Sequence, residues 1–136
     1  EENKLEPQSN LILKIVEELD SEDHLEDLEA EIEGLFRGNS KIDGVFTVNE
    51  LYALTAMKVA RKLGKSIPED VQIIGFTDGV LSKHATPSLT TVRQHAQQMG
   101  EKAAELLINR LEAEEDDEHY KTVVIETKII ERNSTK

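Results

Sequence analysis

The 136-residue sequence predicts an α/β fold, a mainly parallel sheet flanked by helices. Two patterns and the composition support this. Short β-rich apolar runs alternate with longer stretches of helical apolar periodicity, the pattern of strands connected by crossover helices. Two of the runs stop on polar or glycine residues, as in "VFTVNE" and "IIGFTDGV", so the strands end on residues suited to caps, turns and ligand contact. The chain is 38% hydrophobic but only 4% aromatic, enough for one domain with a modest aliphatic core.

The elements follow in order. "NLILKIVEEL" predicts a buried strand from Leu11 to Val16. Leu25, Leu28, Ile32, Leu35 and Phe36 then recur at helical spacing, with Ser21 or Asp23 as the cap and Gly38 as the stop. "GVFTV" predicts a strand from Gly44 to Val48, and Asn49 caps a helix that runs to Leu63 and ends at Gly64. Ala53, Ala56, Met57, Ala60 and Leu63 can face the sheet. Leu51, Leu54 and Val59 lie away from that stripe, which suggests either generous burial within the domain or a subunit contact. A strand from Val71 to Ile74 precedes "GFTDGV". A Gly-, Ser- and Pro-containing connection leads to the short strand "LTTV". Ala96, Met99, Ala103, Leu106, Leu107 and Leu111 mark a further helix, "EAEEDDEH" a solvated loop, and "YKTVVIETKIIER" a long closing strand.

Charge and residue types exclude several functions. With 28 acidic against 16 basic residues, the net charge is −12, and such a field repels a phosphodiester backbone. The absence of cysteine excludes disulfides and thiolate metal sites and fits a reducing compartment. No apolar run approaches a membrane span of about 20 residues, and "EENKLEPQSN" has neither the basic start nor the apolar stretch of a signal peptide. "GFTDGV" lacks the Lys and the Ser or Thr of a P-loop and the three spaced glycines of a dinucleotide fingerprint. His24, His84, His95 and His119 include no i, i+4 pair, and no serine sits in a Gly-x-Ser-x-Gly elbow. Neither metal nor cofactor is expected, and no catalytic cluster. Asn49, Thr77 and Asp78 instead gather where neighbouring parallel strands end. There they either offer a carboxamide, a hydroxyl and a carboxylate to a small polar ligand, or serve as a helix cap and an Asx-turn.

The stretch "IDGVFTVNELYALTAMKVARKLGKSIPEDVQIIGFTDGVLSKHATPSLTTVRQ", continued by "MGEKAAELLINRL" and "VIETKIIERNST", resembles the C-terminal part of the effector-binding region of LacI/GalR-family transcription regulators. The resemblance covers about residues 42 to 135. It implies one lobe, incomplete, of a periplasmic-binding-protein-like (type I) fold. Residues 1–92 would then belong to the C-terminal lobe, 93–125 to a crossover helix and strand of the N-terminal lobe, and 126–136 to a returning strand. It further implies a cytoplasmic bacterial homodimer in which a small effector, a sugar, closes the interlobe cleft. Operator DNA would be held only by a separate helix-turn-helix segment. A periplasmic-type sugar-binding protein used in transport or chemoreception is the alternative. In the family an Asn-Asp pair and an Asp directly after "GY" or "GF" line the cleft. Here these positions read Asn49-Glu50 and Thr77, and the acid is displaced to Asp78. Effector contacts are therefore expected at Asn49, Thr77, Asp78 and, beside the crossover, Gln94. A dimer contact is expected at Leu51, Leu54 and Val59 together with the segment from Leu81 to Ala85. The stripe of the Ala96 helix is expected either to fold back on its own lobe or, preferentially, to dock on a second copy.

Overall fold

The computed structural model describes residues 24–113 and 121–136. The expected strand Leu11–Val16, the caps Ser21 and Asp23 and most of the charged loop lie outside them. The elements are α1 (His24–Gly38), β1 (Gly44–Thr47), α2 (Glu50–Lys62), β2 (Gln72–Phe76), α3 (Val80–His84), β3 (Thr90–Arg93), α4 (Ala96–Glu112) and β4 (Lys128–Ile130). One sheet runs in the order β1-β2-β3-β4. The first three strands are parallel, and β4 is antiparallel to β3. This is the expected mainly parallel α/β architecture.

Local chemistry sets both ends of α2. Asn49 is extended, and its Oδ1 accepts the Tyr52 N–H at 2.9 Å. At the other end Gly64 takes φ +76°, its N–H donates to Arg61 O at 2.9 Å, and Lys65 N–H donates to Ala60 O at 3.0 Å. That pair of bonds satisfies the last carbonyls and stops the helix, as the glycine predicts. α2 lies close on β2 because Gly75 has no side chain. A Cβ there would stand 3.3 Å from Ala53 Cβ and 3.2 Å from Leu89 Cδ2. The core around this contact joins Phe36, Ala53, Ala56, Met57, Val59, Ala60, Val71, Ile73 and Leu89. Fully buried aliphatics such as Ile73 and Leu89 contribute about 1.5–3 kcal/mol each.

Three expectations are corrected, and one pair of alternatives is narrowed. Val59 does not face outward: it is 1% exposed and joins the core cluster that includes Phe36 of α1. α1 packs on α2, so burial within the domain explains this part of the all-round apolarity. The connection after β2 contains the unexpected α3. Its end is capped from across the domain, since both the Ser82 N–H and the Ser82 hydroxyl donate to Glu50 Oε1. The long closing strand shortens to Lys128–Ile130, because β3 offers only Thr91 to Arg93 as partners, and residues 121–127 pair with no strand among the described residues. Of the two outcomes expected for α4, folding back on its own lobe is not seen among the described residues. None of its residues is buried, and Met99, Leu107 and Leu111 of the expected stripe are exposed.

After β4 the chain returns beneath the sheet and fills the gap where β2 and β3 begin. Ser134 is fully buried. Its hydroxyl donates to Ile73 O at 2.6 Å and accepts the Thr90 N–H at 2.8 Å, its carbonyl accepts the Ile73 N–H at 3.0 Å, and its N–H donates to Ser88 O at 3.0 Å. The tail thus stands in for a missing stretch of ladder and satisfies backbone groups that burial would otherwise leave unpaired.

Candidate functional site

The C-terminal ends of β2 and β3 open onto a cavity of about 400 Å³, lined by Thr77, Asp78, Arg93, Gln94, His95 and the first residues of α4. Three of the four expected effector contacts, Thr77, Asp78 and Gln94, therefore meet. Asn49 does not line this cavity, and its side-chain oxygen is engaged in capping α2. Glu50, its neighbour, is spent on α3, and a Cβ on Gly79 would collide with that carboxylate.

Thr77 has φ +96°, rare for a β-branched residue and costly by about 1–3 kcal/mol. Its N–H donates to Val92 O at 3.1 Å, which pins the strained turn to β3 and sets the exposed Thr77 at the cavity lip. His95 is also left-handed, at φ +55°, where β3 hands over to α4.

Asp78 does not form an Asx-turn with its own backbone; its carboxylate is engaged by the side chains of Thr91, Arg93 and Arg132. Its side chain is 4% exposed. Oδ1 accepts from Thr91 Oγ1 at 2.9 Å and Arg132 Nη2 at 2.6 Å. Oδ2 accepts from Arg93 Nε at 2.8 Å and Arg93 Nη2 at 2.6 Å. Burial by itself would raise the carboxyl pKa. The hydrogen bonds from Arg132, Arg93 and Thr91 outweigh it and lower the value from 3.8 to about 2. Arg132 is held in turn, with Nη1 donating to Leu89 O at 2.6 Å and to Thr91 Oγ1 at 3.1 Å. Sequence reasoning missed Arg132 as a site residue. Its one signal was its place in "ERNST", a stretch the family resemblance includes.

On the outer side of α2, Leu51 and Leu81 are exposed. Leu54 and Ala85, half-buried, line a groove of about 530 Å³ together with Arg61 and Thr86. Among the described residues no cluster of three His, Asp or Glu could hold a metal, and no helix is long and apolar enough to cross a membrane.

A crevice beyond the carboxyl ends of parallel strands is where open α/β sheets bind small ligands. The sequence profile of the periplasmic binding protein-like domain matches residues 2–135. The chain belongs to this family. Among periplasmic binding protein-like proteins it is similar to the HTH-type transcriptional regulator CelR of Thermobifida fusca, at 36% identity over 93 residues, 68% of this chain and 27% of CelR. It is also similar to the ribose operon repressor of Halalkalibacterium halodurans, at 35% over 113 residues, 83% of this chain and 34% of the repressor. The solved complex of CelR with cellobiose superimposes with a TM-score of 0.69 at 32% identity, over 81% of this chain and 33% of that one. A LacI-type transcription regulator from Bifidobacterium animalis subsp. lactis gives 0.70 at 27% identity, over 79% and 38%. The LacI/GalR resemblance read from the sequence is borne out, and the chain spans about a third of the length of these curated relatives.

Proposed function

We propose that this periplasmic binding protein-like chain is the effector-sensing part of a transcription regulator and that it binds a sugar at the cavity between β2, β3 and α4. The observation that supports this most directly is the meeting of Thr77, Asp78 and Gln94 at one strand-end cavity in a chain whose curated relatives are regulators. Asn49, outside that cavity, is read as reaching the ligand from the adjoining end of β1. The protein is read as cytoplasmic and not an enzyme. DNA contact belongs to a segment other than this acidic chain. Residues 93–125 are read as a crossover to a second lobe, because among the described residues the apolar stripe of α4 is left without burial. Titrating mono- and disaccharides into the chain, with nuclear magnetic resonance as the readout, should move the signals of Thr77 and Gln94. Gln94→Ala should weaken that binding by about 0.5–1.5 kcal/mol, the net worth of one hydrogen bond. Shifts confined to other parts of the chain would refute the site.

The same reading includes a two-fold contact through Leu51 and Leu54 of α2 and the segment from Leu81 to Ala85, in and just after α3. It no longer includes Val59. Exposed leucines beside a groove favour it, since closed two-fold assemblies bury one self-complementary patch. Leu54→Lys is expected to shift the chain toward monomer in sedimentation velocity. A dimer of unchanged strength would assign these leucines to the surface of a single subunit.

A further inference from the structure

We infer that the cavity takes an anionic effector, a sugar bearing a carboxylate or a phosphate, and that Arg93 is the residue that selects it. The inference rests on the effector-site reading above and deepens it. It follows from counting donors and acceptors. A carboxylate has about four lone-pair sites, and all four of Asp78 are filled, by Thr91, by Arg132 and twice by Arg93. Asp78 has no capacity left to accept a hydroxyl from a polyol. The position beside it, where the resemblance expects the acid that here stands at Asp78, is Thr77. The remaining carboxylate on the rim, Glu101, is exposed and accepts from Gln97 Nε2 at 2.9 Å.

Donors, by contrast, are left over. A guanidinium carries five N–H groups, and Arg93 uses two of them on Asp78 Oδ2. The other three have no acceptor among the described residues, and the Arg93 side chain is 41% exposed where it lines the cavity. One carboxylate is shared between two guanidiniums, so the cluster of Asp78, Arg93 and Arg132 keeps one unit of positive charge in excess at its own wall, while the exposed Glu101 stands on the rim, engaged by Gln97. Gln94 adds an amide at the same wall. Beside them α4 begins without a side-chain cap, and Met99 is the first residue to donate along the helix. The N–H groups of Ala96, Gln97 and Gln98 thus reinforce a charge that Arg93 already sets. The −12 of the whole chain does not cancel this, since charges beyond about 8 Å are largely screened at physiological salt. A ligand rich in acceptors and negatively charged satisfies this wall. A neutral polyol leaves the Arg93 fork unmatched.

The test titrates the folded chain with D-glucose, D-gluconate and D-glucose 6-phosphate, following backbone signals and the arginine Nε–H signals. At least one of the two anions should bind about tenfold more tightly than glucose, shift the Arg93 Nε–H signal and lose most of its advantage in 0.5 M salt; which anion prevails identifies the group. Arg93→Gln should bring the anions to within about twofold of glucose, and Arg93→Lys should retain part of the preference. Arg132 still pairs with Asp78 in both variants, and the same spectra report whether they fold. Glucose binding as well as the anions, or an anion preference that survives Arg93→Gln, overturns the inference while leaving the effector site standing. Binding of none of the three overturns both.

Discussion

Replacing Asp78 by alanine is expected to destabilise the chain by about 3–5 kcal/mol, the usual result of removing one partner from a buried ion pair. Arg132, 12% exposed, would keep its charge with no carboxylate to meet it, and Arg93 would lose the anchor that aims its fork. Against a total stability of about 5–15 kcal/mol, that is a large share of the fold. Urea unfolding followed by far-ultraviolet circular dichroism measures it; a midpoint unchanged from the parent would show that the pairs contribute nothing. Acid provides a matching check. The folded Asp78 carboxyl binds its proton less readily than the unfolded one, with a pKa of about 2 against 3.8. Its contribution is complete above the unfolded value and is lost as pH falls from about 3.8 to about 2, amounting to about 2 kcal/mol. Asp78→Ala should lack that component of the acid sensitivity. Loss of ligand binding in this variant would report the collapse of the rim rather than a missing contact, so Gln94 and Arg93 are the positions at which to probe recognition.

Removing residues 132–136 is expected to abolish cooperative unfolding. The truncation takes away Arg132 from Asp78 and Leu89, and it strips four hydrogen bonds made by Ser134 to Ile73, Ser88 and Thr90. Each buried group left without a partner costs about 1–3 kcal/mol, and together these exceed what a domain of this size can spare. Ser134→Ala, which deletes only the hydroxyl, should cost about 1–3 kcal/mol in the same measurement. A truncated chain that still unfolds in one sharp transition at the parent midpoint would contradict the account of the tail.

How far the sequence could be read depended on whether each signal was local. α2 was legible because its cap Asn49 and its stop Gly64 lie beside the residues they serve. α4 was legible from its stripe, although periodicity cannot say what a stripe packs against, and among the described residues nothing buries it. α3 escaped notice because its cap is Glu50, 32 residues earlier. Val59 was misplaced because a helical wheel does not show that α1 returns to cover its side. "YKTVVI" has the composition of a strand, but a strand needs a neighbour, and β3 was already fully paired by Lys128–Ile130. The candidate site divided in the same way. Thr77, Asp78 and Gln94 could be placed together from strand ends alone. The role of Asp78 could not, since it is decided by Arg93 and Arg132, 15 and 54 residues away.

The insertion of Ser134 between the beginnings of β2 and β3 also fixes the timetable of assembly during synthesis. Ile73 waits for a partner made 61 residues later, an interval of about 3–12 s at ordinary elongation rates. Throughout that interval β1, α2 and β2 can already pack, while the N–H and C=O groups of Ile73 and the N–H of Thr90 stay open to any passing strand. The nascent chain is thus most exposed to mispairing in its middle, after its core has gathered and before its tail has emerged. A ribosome stalled between codons 100 and 130 would hold the protein in that unfinished and adhesive state.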